Sequence, residues 1–395
     1  LGISKSISKK QKESALIMRK QTKIAAIVSA AALLALGASM TSFAASKGTW
    51  MMVDGEWQCY GKNGDAYENT FCSSNGKEYY VGEDGQLVRS SWVEYDSSYY
   101  FVNSNGAKIT NDWRLTTPYD DDSADEDEYW YYLKKTTGKP ATGKQSNING
   151  QIYLFNNEGQ MQHGWVAATD TNGAKFVQLD KEDDEKSMSA AGNAAVYYCG
   201  DEDDGHAKKN KWTKTWPPDN TSEEDDDKEW FWFDKDGVLF RSGENKGSAT
   251  ASDAWKYKLD EGTLKKDTNE STGVISKKKV SSKDYWSTKD GVMLSKFYLI
   301  NDAMYYFGGS DDGSMKTGSQ SIKDNTGDTY KFYFYTKDQA ASYKTPDGKH
   351  GLSKGAGVVG NQGNKLYWYG LPIQADDYKY QVATDRKSTR LNSSH

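Results

Sequence analysis

Aromatic side chains are the residues of this sequence best suited to chemistry. The 395 residues include 27 Tyr, 13 Trp and 12 Phe, so aromatic residues reach 13% although only 36% of the chain is hydrophobic. Several aromatic faces can enclose a quaternary ammonium group through cation–π attraction, each good contact contributing about 0.5–2 kcal/mol. The same faces can stack on sugar rings. The composition therefore indicates a recognition site built from rings.

Catalytic residues form no recognisable motif in this sequence. It contains no Gly-x-Ser-x-Gly elbow, His-Glu-x-x-His helix or glycine-rich phosphate loop, and His163 has no serine or cysteine nucleophile nearby. The odd cysteine count gives no disulfide framework, although Cys59 and Cys72 could meet across adjacent hairpins and leave Cys199. We expect no enzyme activity within these residues, no cofactor and no metal site.

The aromatic residues recur at a fixed spacing that organises the chain. Equivalent residues in two successive copies lie 21 positions apart: Tyr79 and Tyr100, Gly85 and Gly106, Val88 and Ile109, Trp92 and Trp113. In each copy an aromatic run predicts a short strand, and Asp84-Gly85 or Asn105-Gly106 predicts the tight turn to a second strand. One hairpin cannot bury its apolar face, whereas stacked hairpins can. The sequence therefore predicts an all-β solenoid of short β-hairpin repeats of about 20 residues.

The repeated units resemble those of the choline-binding, or cell-wall-binding, repeat family. The family unit reads roughly Gly-Trp, a short turn, Trp-Tyr-Tyr-Leu, a polar turn with Asp-Gly, then Met-x-Thr-Gly-Trp. Residues 130–133 (Trp-Tyr-Tyr-Leu) match its first half, and residues 158–165 and 312–318 match its second half. Weaker units recur from Trp50 to Tyr369, so the resemblance covers most of the chain.

The resemblance also implies where a ligand would bind. In the family, aromatic cages form between successive hairpins, from the Trp that closes one unit, the first aromatic residue of the next strand and a Tyr beyond it. Carried over to this sequence, the implied sets are Trp92 with Tyr99, Trp113 with Trp130 and Tyr131, and Trp216 with Trp230 and Trp232. Trp165 is also an implied binding residue, but it has no evident strong partner.

Three units depart from the family pattern at the Trp position of the aromatic strand. Glu78, Ile152 and Met304 stand there, which predicts incomplete cages in those units. The alternative interpretation of all these aromatic residues is that they form only the core of the solenoid.

The N-terminal residues match a secretory signal at 18–44. Arg19, Lys20 and Lys23 form its basic region, residues 24–36 its apolar region, and cleavage is expected after Ala44. Residues 1–17 precede the expected start and would then not be translated. The alternative is a retained N-terminal anchor, although the apolar run is short for a membrane span. We therefore expect no membrane span after cleavage.

The repeat region is predicted to extend over residues 45–384, with acidic insertions near 114–129 and 180–229. Like charges repel, so Tyr119–Glu128 is expected to form a solvated loop. Calcium binding is the alternative there, but no Asp-x-Asp-x-Asp-Gly loop with a distal Glu is present. Residues 385–395 match no unit and resemble translated sequencing-adapter sequence, which would make them an artefact.

Charge narrows the choice of partner. Residues 1–44 hold seven of the 50 basic and one of the 56 acidic residues, so the remainder carries a net charge of −12. Such acidity disfavours nucleic acid as a partner. We expect a secreted, cell-wall-associated protein that attaches without catalysis to choline-bearing teichoic acid or another envelope glycan. The alternatives are a glucan-type carbohydrate-binding module, or the targeting part of a truncated cell-wall hydrolase.

Overall fold

The fold is all-β, as predicted. The computed structural model describes residues 48–119, 127–169, 175–219, 224–242, 249–251, 253–273, 275–373, 381–385 and 388–392. Strands pair antiparallel in short hairpins, and two 3-10 helices cover Asp184–Lys186 and Asp225–Asp227. In the part of the chain that is described, neither helix has the length and apolar character needed to cross a membrane. The predicted signal at 18–44 and residues 120–126 of the first acidic insertion lie outside the described residues.

The first of two compact units contains the described residues up to Gln145 together with Phe155–Met161. Its strands form four two-stranded antiparallel hairpins, β1–β2, β3–β4, β5–β6 and β7–β8. Their bounds are β1 Thr49–Val53, β2 Glu56–Tyr60, β3 Thr70–Ser74, β4 Lys77–Val81, β5 Ser91–Glu94, β6 Tyr99–Val102, β7 Asp112–Thr116 and β8 Tyr129–Leu133. A further hairpin of β9 (Gly143–Ile148) and β10 (Gln151–Phe155) is divided between the units.

The second unit contains Ser146–Leu154 and the described residues from Gln162 onward. Its strands are β11 Trp165–Ala168, β12 Phe176–Gln178, β13 Val196–Tyr198, β14 Lys211–Thr215, β15 Glu229–Phe233, β16 Ala249–Ala251, β17 Ala254–Asp260, β18 Thr263–Lys266, β19 Ile275–Val280, β20 Lys283–Thr288, β21 Phe297–Ile300, β22 Ala303–Tyr306, β23 Gly318–Lys323, β24 Thr329–Phe334, β25 Gly360–Gln362, β26 Lys365–Trp368, β27 Leu371–Pro372, β28 Gln381–Asp385 and β29 Ser388–Asn392. Some hairpins gain extra strands here, giving the sheet orders β12-β11-β13, β16-β19-β20, β18-β17-β21-β22 and β25-β26-β27.

The hairpin turns lie elsewhere than predicted. Strands β3 and β4 are joined by Asn75 and Gly76, with φ angles of 50° and 73°. A two-residue turn that matches the strand twist needs positive φ at both residues, and Asn75-Gly76 supplies both. The predicted turn at Asp84-Gly85 instead closes a short loop after β4, where Gly82 N–H donates to Gln86 O at 2.9 Å. Trp92 therefore lies in the first strand of the next hairpin, rather than closing the unit before it.

A repeated backbone link joins successive hairpins within each unit. After β4 the chain turns, Leu87 bridges back to Val81, and its N–H donates to the carbonyl of Trp57 at 2.8 Å. We call the donor the linking position and the carbonyl residue the acceptor position. The same bond recurs in both units: Lys108 to Glu78, Met161 to Trp130, Ala207 to Ile152, Leu239 to Val196, Met293 to Trp230, Met315 to Asp284 and Gly357 to Met304. These bonds arrange the hairpins of each unit as a solenoid.

Side-chain packing repeats with the same period. Gly106 has a φ of 78°, and a Cβ placed on it would lie 2.6 Å from Cδ1 of Leu87, the linking residue of the preceding hairpin. Any residue other than glycine at position 106 would therefore have to displace the Leu87 side chain. The buried clusters combine aromatic with aliphatic side chains, and burial raises the pKa of Tyr197 to about 12. Cys59 and Cys72 share one buried cluster, while Cys199 lies in another.

Candidate functional site

Trp92 lies at the centre of an aromatic cluster in the first unit. Its ring centroid is 5.2 Å from Phe101, its partner across the β5–β6 hairpin, and 5.0 Å from Tyr131 on β8. Both contacts are close to perpendicular, an arrangement that aromatic pairs prefer. The indole Nε1 donates to Thr117 O at 2.9 Å. The orientation of Trp92 is thus fixed at both ends of its ring system.

Tyr119 joins Trp92 to its predicted partner Tyr99. The rings of Tyr99 and Tyr119 stack with centroids 4.2 Å apart, and Tyr119 also lies 5.2 Å from Trp92 and 6.1 Å from Tyr131. The prediction that this residue belongs to a solvated loop was wrong, because Tyr119 is half-buried among rings. The sequence feature that indicates this packing is the position of Tyr119, an aromatic residue at the start of a charged run. We call Trp92, Tyr99, Phe101, Tyr119 and Tyr131 the Trp92 cluster.

Trp113 lies in a second cluster, on the other face of β8. Its centroid is 6.4 Å from Trp130, 5.1 Å from Tyr132 and 5.8 Å from Phe155. We call these four residues the Trp113 cluster. The pairing of Trp113 with Trp130 thus brings together two residues of one predicted set.

Tyr131 was assigned to the wrong set. Successive side chains of a strand point to opposite faces, so Trp130 and Tyr132 face Trp113 while Tyr131 faces Trp92. Tyr131 is also 0% exposed, which makes it a buried wall of the Trp92 cluster.

The third predicted set is not assembled. Trp216 lies against Lys228, whose Nζ is 4.0 Å from the ring centroid, and its Nε1 donates to Glu224 O. Trp230 donates instead to Asp311 Oδ1 at 3.0 Å, and Trp232 contacts Trp212 at 5.3 Å. The physical reason is that β14 ends at Thr215, before Pro217 and Pro218, so Trp216 leaves the strand that faces β15.

Trp165 was predicted to lack a strong partner, and this prediction was wrong. Its ring lies 4.9 Å from Phe231, 5.1 Å from Tyr198 and 5.9 Å from Phe233, and the residue is 8% exposed. Its Nε1 donates to Trp216 O at 2.8 Å. Tyr198 lies within the second acidic insertion, and Phe231 and Phe233 follow it, so these partners are far from Trp165 along the chain. Trp165 is a core residue.

Cations already lie on several aromatic faces of the protein. Lys228 covers Trp216, and Nζ of Lys266 is 3.2 Å from the ring centroid of Trp255. Both distances are well inside the range of about 6 Å over which cation–π attraction operates. Beside Trp230, hydrogen bonds from Lys214 and from the indole lower the pKa of Asp311. Among the described residues, no group of three His, Cys, Asp or Glu could hold a metal ion.

Comparisons with known proteins give structural matches only. No protein-family model and no curated protein matches the sequence. The structure is similar to choline-binding protein F from Streptococcus pneumoniae, with 16% identity, coverage of 85% of this chain and 100% of that chain, and a TM-score of 0.45. The choline-binding domain of CbpL from the same organism matches with 20% identity, coverage of 69% and 97%, and a TM-score of 0.36.

A third match is the modular autolysin LytC from Streptococcus pneumoniae, with 16% identity and a TM-score of 0.37. The match covers 75% of this chain and 49% of that one, so this chain spans about half of the autolysin. Two of these three solved structures are described as choline-binding, and the third as a modular autolysin.

Proposed function

We propose that this chain attaches non-covalently to a cell-envelope polymer, and that its aromatic clusters bind the quaternary ammonium of choline on that polymer. The observation that carries the proposal is the Trp92 cluster. Three rings contact Trp92 at 5.0–5.2 Å, and they come from different elements, β6, β8 and the segment after β7. Backbone pairing fixes the strands that carry these rings, so the cluster is largely preorganised.

The chemistry of choline suits such a cluster. Its ammonium is methylated, so it offers no hydrogen-bond donor and a diffuse positive charge that aromatic faces attract. Trp92, Tyr99 and Tyr119 are all half-buried, so each ring retains some surface at the solvent. The acidic chain adds a favourable long-range attraction for a cation, which salt would weaken.

The second candidate is a glucan-type carbohydrate-binding module, and one observation favours it. Trp57 and Trp368 are 37% and 44% exposed, although large aromatic residues are usually well buried. An exposed indole offers a flat platform on which a sugar ring can stack. This candidate uses different residues from the first, so one experiment separates them.

The test compares two single variants on two ligands. Choline should shift the tryptophan fluorescence of the wild type and elute it from a tertiary-amine resin. Trp92→Ala should weaken both responses, whereas the matched variant Trp368→Ala should retain them. The opposite pattern, with binding to insoluble glucan lost only in Trp368→Ala, would favour the carbohydrate module. A wild type that ignores choline would overturn the choline proposal.

The location proposed for the protein is the outside of the cell, in association with the wall. This follows from the predicted signal at 18–44, and the mature chain would begin near Ala45. N-terminal sequencing of extracellular material tests it, and an intact Met18 on cytoplasmic protein would contradict it. The targeting part of a cell-wall hydrolase is the remaining alternative. It forecasts a reading frame that continues past residue 384 into a catalytic domain.

A further inference from the structure

The ammonium group of Lys108 lies over two aromatic rings in the first unit. Its Nζ is 5.0 Å from the ring centroid of Phe71 and 4.6 Å from that of Tyr100. The Phe71 ring also contacts Tyr80 and Tyr95 at 5.1 and 5.4 Å, in edge-to-face arrangements. We call Phe71, Tyr80, Tyr95 and Tyr100 the Phe71 box. The Lys108 side chain is only 12% exposed, so its charge is held largely away from water.

Glu78 holds the lysine in place from outside the box. Its Oε2 is 2.7 Å from Nζ of Lys108, and its backbone carbonyl accepts the Lys108 N–H at 2.8 Å. The Glu78 side chain is 50% exposed and therefore remains at the solvent. A buried ammonium needs compensating partners. The ammonium of Lys108 has three such partners, namely the ring faces of Phe71 and Tyr100 and the carboxylate of Glu78.

Other hairpins show what these two positions ordinarily carry. Glu78 is an acceptor residue and Lys108 is its linking residue. Where the acceptor is a tryptophan, the linking residue is apolar: Trp57 with Leu87, Trp130 with Met161 and Trp230 with Met293. Glu78 and Lys108 instead carry an ion pair at these two positions. The unit that lacks its tryptophan thus gains a cation of its own.

We propose that the Phe71 box is an ammonium-binding site that the protein occupies with its own Lys108. In the wild type this unit takes no external ligand. When the lysine side chain is shortened, the box accepts a small alkylammonium ion in its place. The inference concerns different rings from the Trp92 cluster, and it holds whether or not the protein binds choline.

The test is chemical rescue of Lys108→Ala. This substitution removes three methylene groups and the ammonium, which together correspond to propylammonium. The melting temperature of the variant should fall below that of the wild type, and propylammonium chloride should raise it more than equimolar sodium chloride does. The wild type should show no such difference between the two salts.

Lys208→Ala is the matched control. The Lys208 side chain is 14% exposed and its Nζ lies 2.7 Å from Asp204 Oδ2, so it resembles Lys108 in burial and in its ion pair. Its other neighbour is His206 Nε2 rather than a pair of aromatic faces. Propylammonium should not rescue this variant. Equal rescue of both variants, or rescue of neither, would overturn the proposal.

A measurement on the wild type covers the case in which Lys108→Ala does not fold. With 13C-labelled lysine, the ε-methylene protons of Lys108 should resonate upfield of those of other lysines, because two ring faces shield them. Loss of the signal in Lys108→Arg assigns it, and an ordinary chemical shift would overturn the proposal. Trp92→Ala separates the two proposals, because it should weaken the response to choline and leave the Lys108 signal unchanged.

Discussion

Tyr119 stacks on Tyr99 with ring centroids 4.2 Å apart and an angle of 23° between the planes. This contact places the first residue of the acidic insertion against the aromatic strand of the preceding hairpin. The insertion therefore contributes a ring to the Trp92 cluster, instead of only adding charge to the surface. Removal of the Tyr119 ring should therefore weaken ligand binding at the Trp92 cluster.

Tyr119→Ala is expected to weaken choline binding. Removing one aromatic wall costs about 0.5–2 kcal/mol, which corresponds to a roughly two- to thirty-fold rise in Kd. Fluorescence titration with choline measures the change. The control is Tyr129→Ala, at the other end of the insertion, since Tyr129 is 37% exposed. An equal effect of both substitutions would show that the insertion acts through something other than the Tyr119 ring.

Double-mutant cycles should separate the two clusters. Trp113 and Trp130 contact each other, so Trp113→Ala and Trp130→Ala should be non-additive in choline retention, by about 0.5–3 kcal/mol. Trp92→Ala and Trp113→Ala should combine additively, because their rings contact opposite faces of β8. Strong coupling between Trp92 and Trp113 would mean that both belong to one site.

Gly106→Ala should destabilise the first unit more than a glycine substitution at an open turn. A non-glycine residue at positive φ costs about 1–3 kcal/mol, and here the added Cβ also meets Leu87. Gly76→Ala is the matched control, with a φ of 73° and no heavy atom within 4 Å of the added Cβ. Urea denaturation of both variants isolates the packing contribution. Equal losses would show that Leu87 moves aside at little cost.

Acid should remove a stabilising ion pair beside a repeat turn. Burial alone would raise the pKa of Asp312, but hydrogen bonds from Lys316 and Ser314 outweigh it and lower the pKa below its usual value. A depressed folded-state pKa contributes stability above the unfolded value near 3.8, and that stability is lost as the pH falls through the folded pKa.

Asp312→Asn should therefore be less stable than the wild type at pH 7, and the difference should shrink as the pH falls below about 4. Urea midpoints measured from pH 7 to pH 3 provide the comparison, with the exposed Glu83→Gln as control. A difference that stays constant over this range would show that the carboxylate charge of Asp312 does not contribute.

The sequence was sufficient for the all-β class and for the repeat period, because both depend on local aromatic runs and turn dipeptides. It was also sufficient for the pairing of Trp113 with Trp130, which lie on the two paired strands β7 and β8. The errors at Tyr131, Trp165 and Trp216 have different causes. Strand alternation places Tyr131 on the face of β8 opposite to Trp130, where it contacts Trp92.

Two other errors depend on contacts that local sequence does not reveal. The ring partners of Trp165 include Phe231 and Phe233, which follow an insertion of irregular length. The environment of Trp216 depends on where β14 ends and on Lys228 beyond the acidic segment. Such contacts are set by the folded arrangement of the insertions, which repeat motifs do not specify.

The link between successive hairpins joins main-chain atoms only, an N–H at the linking position and a carbonyl at the acceptor position. Any residue except proline can therefore donate it, and any residue at all can accept it. Acceptors as different as Trp57, Glu78, Ile152 and Asp284 make the bond with similar geometry. A gene encoding such units can gain or lose a whole repeat by unequal recombination without needing a new complementary pair of side chains. The number of hairpins in the array can therefore change while each hairpin keeps its fold.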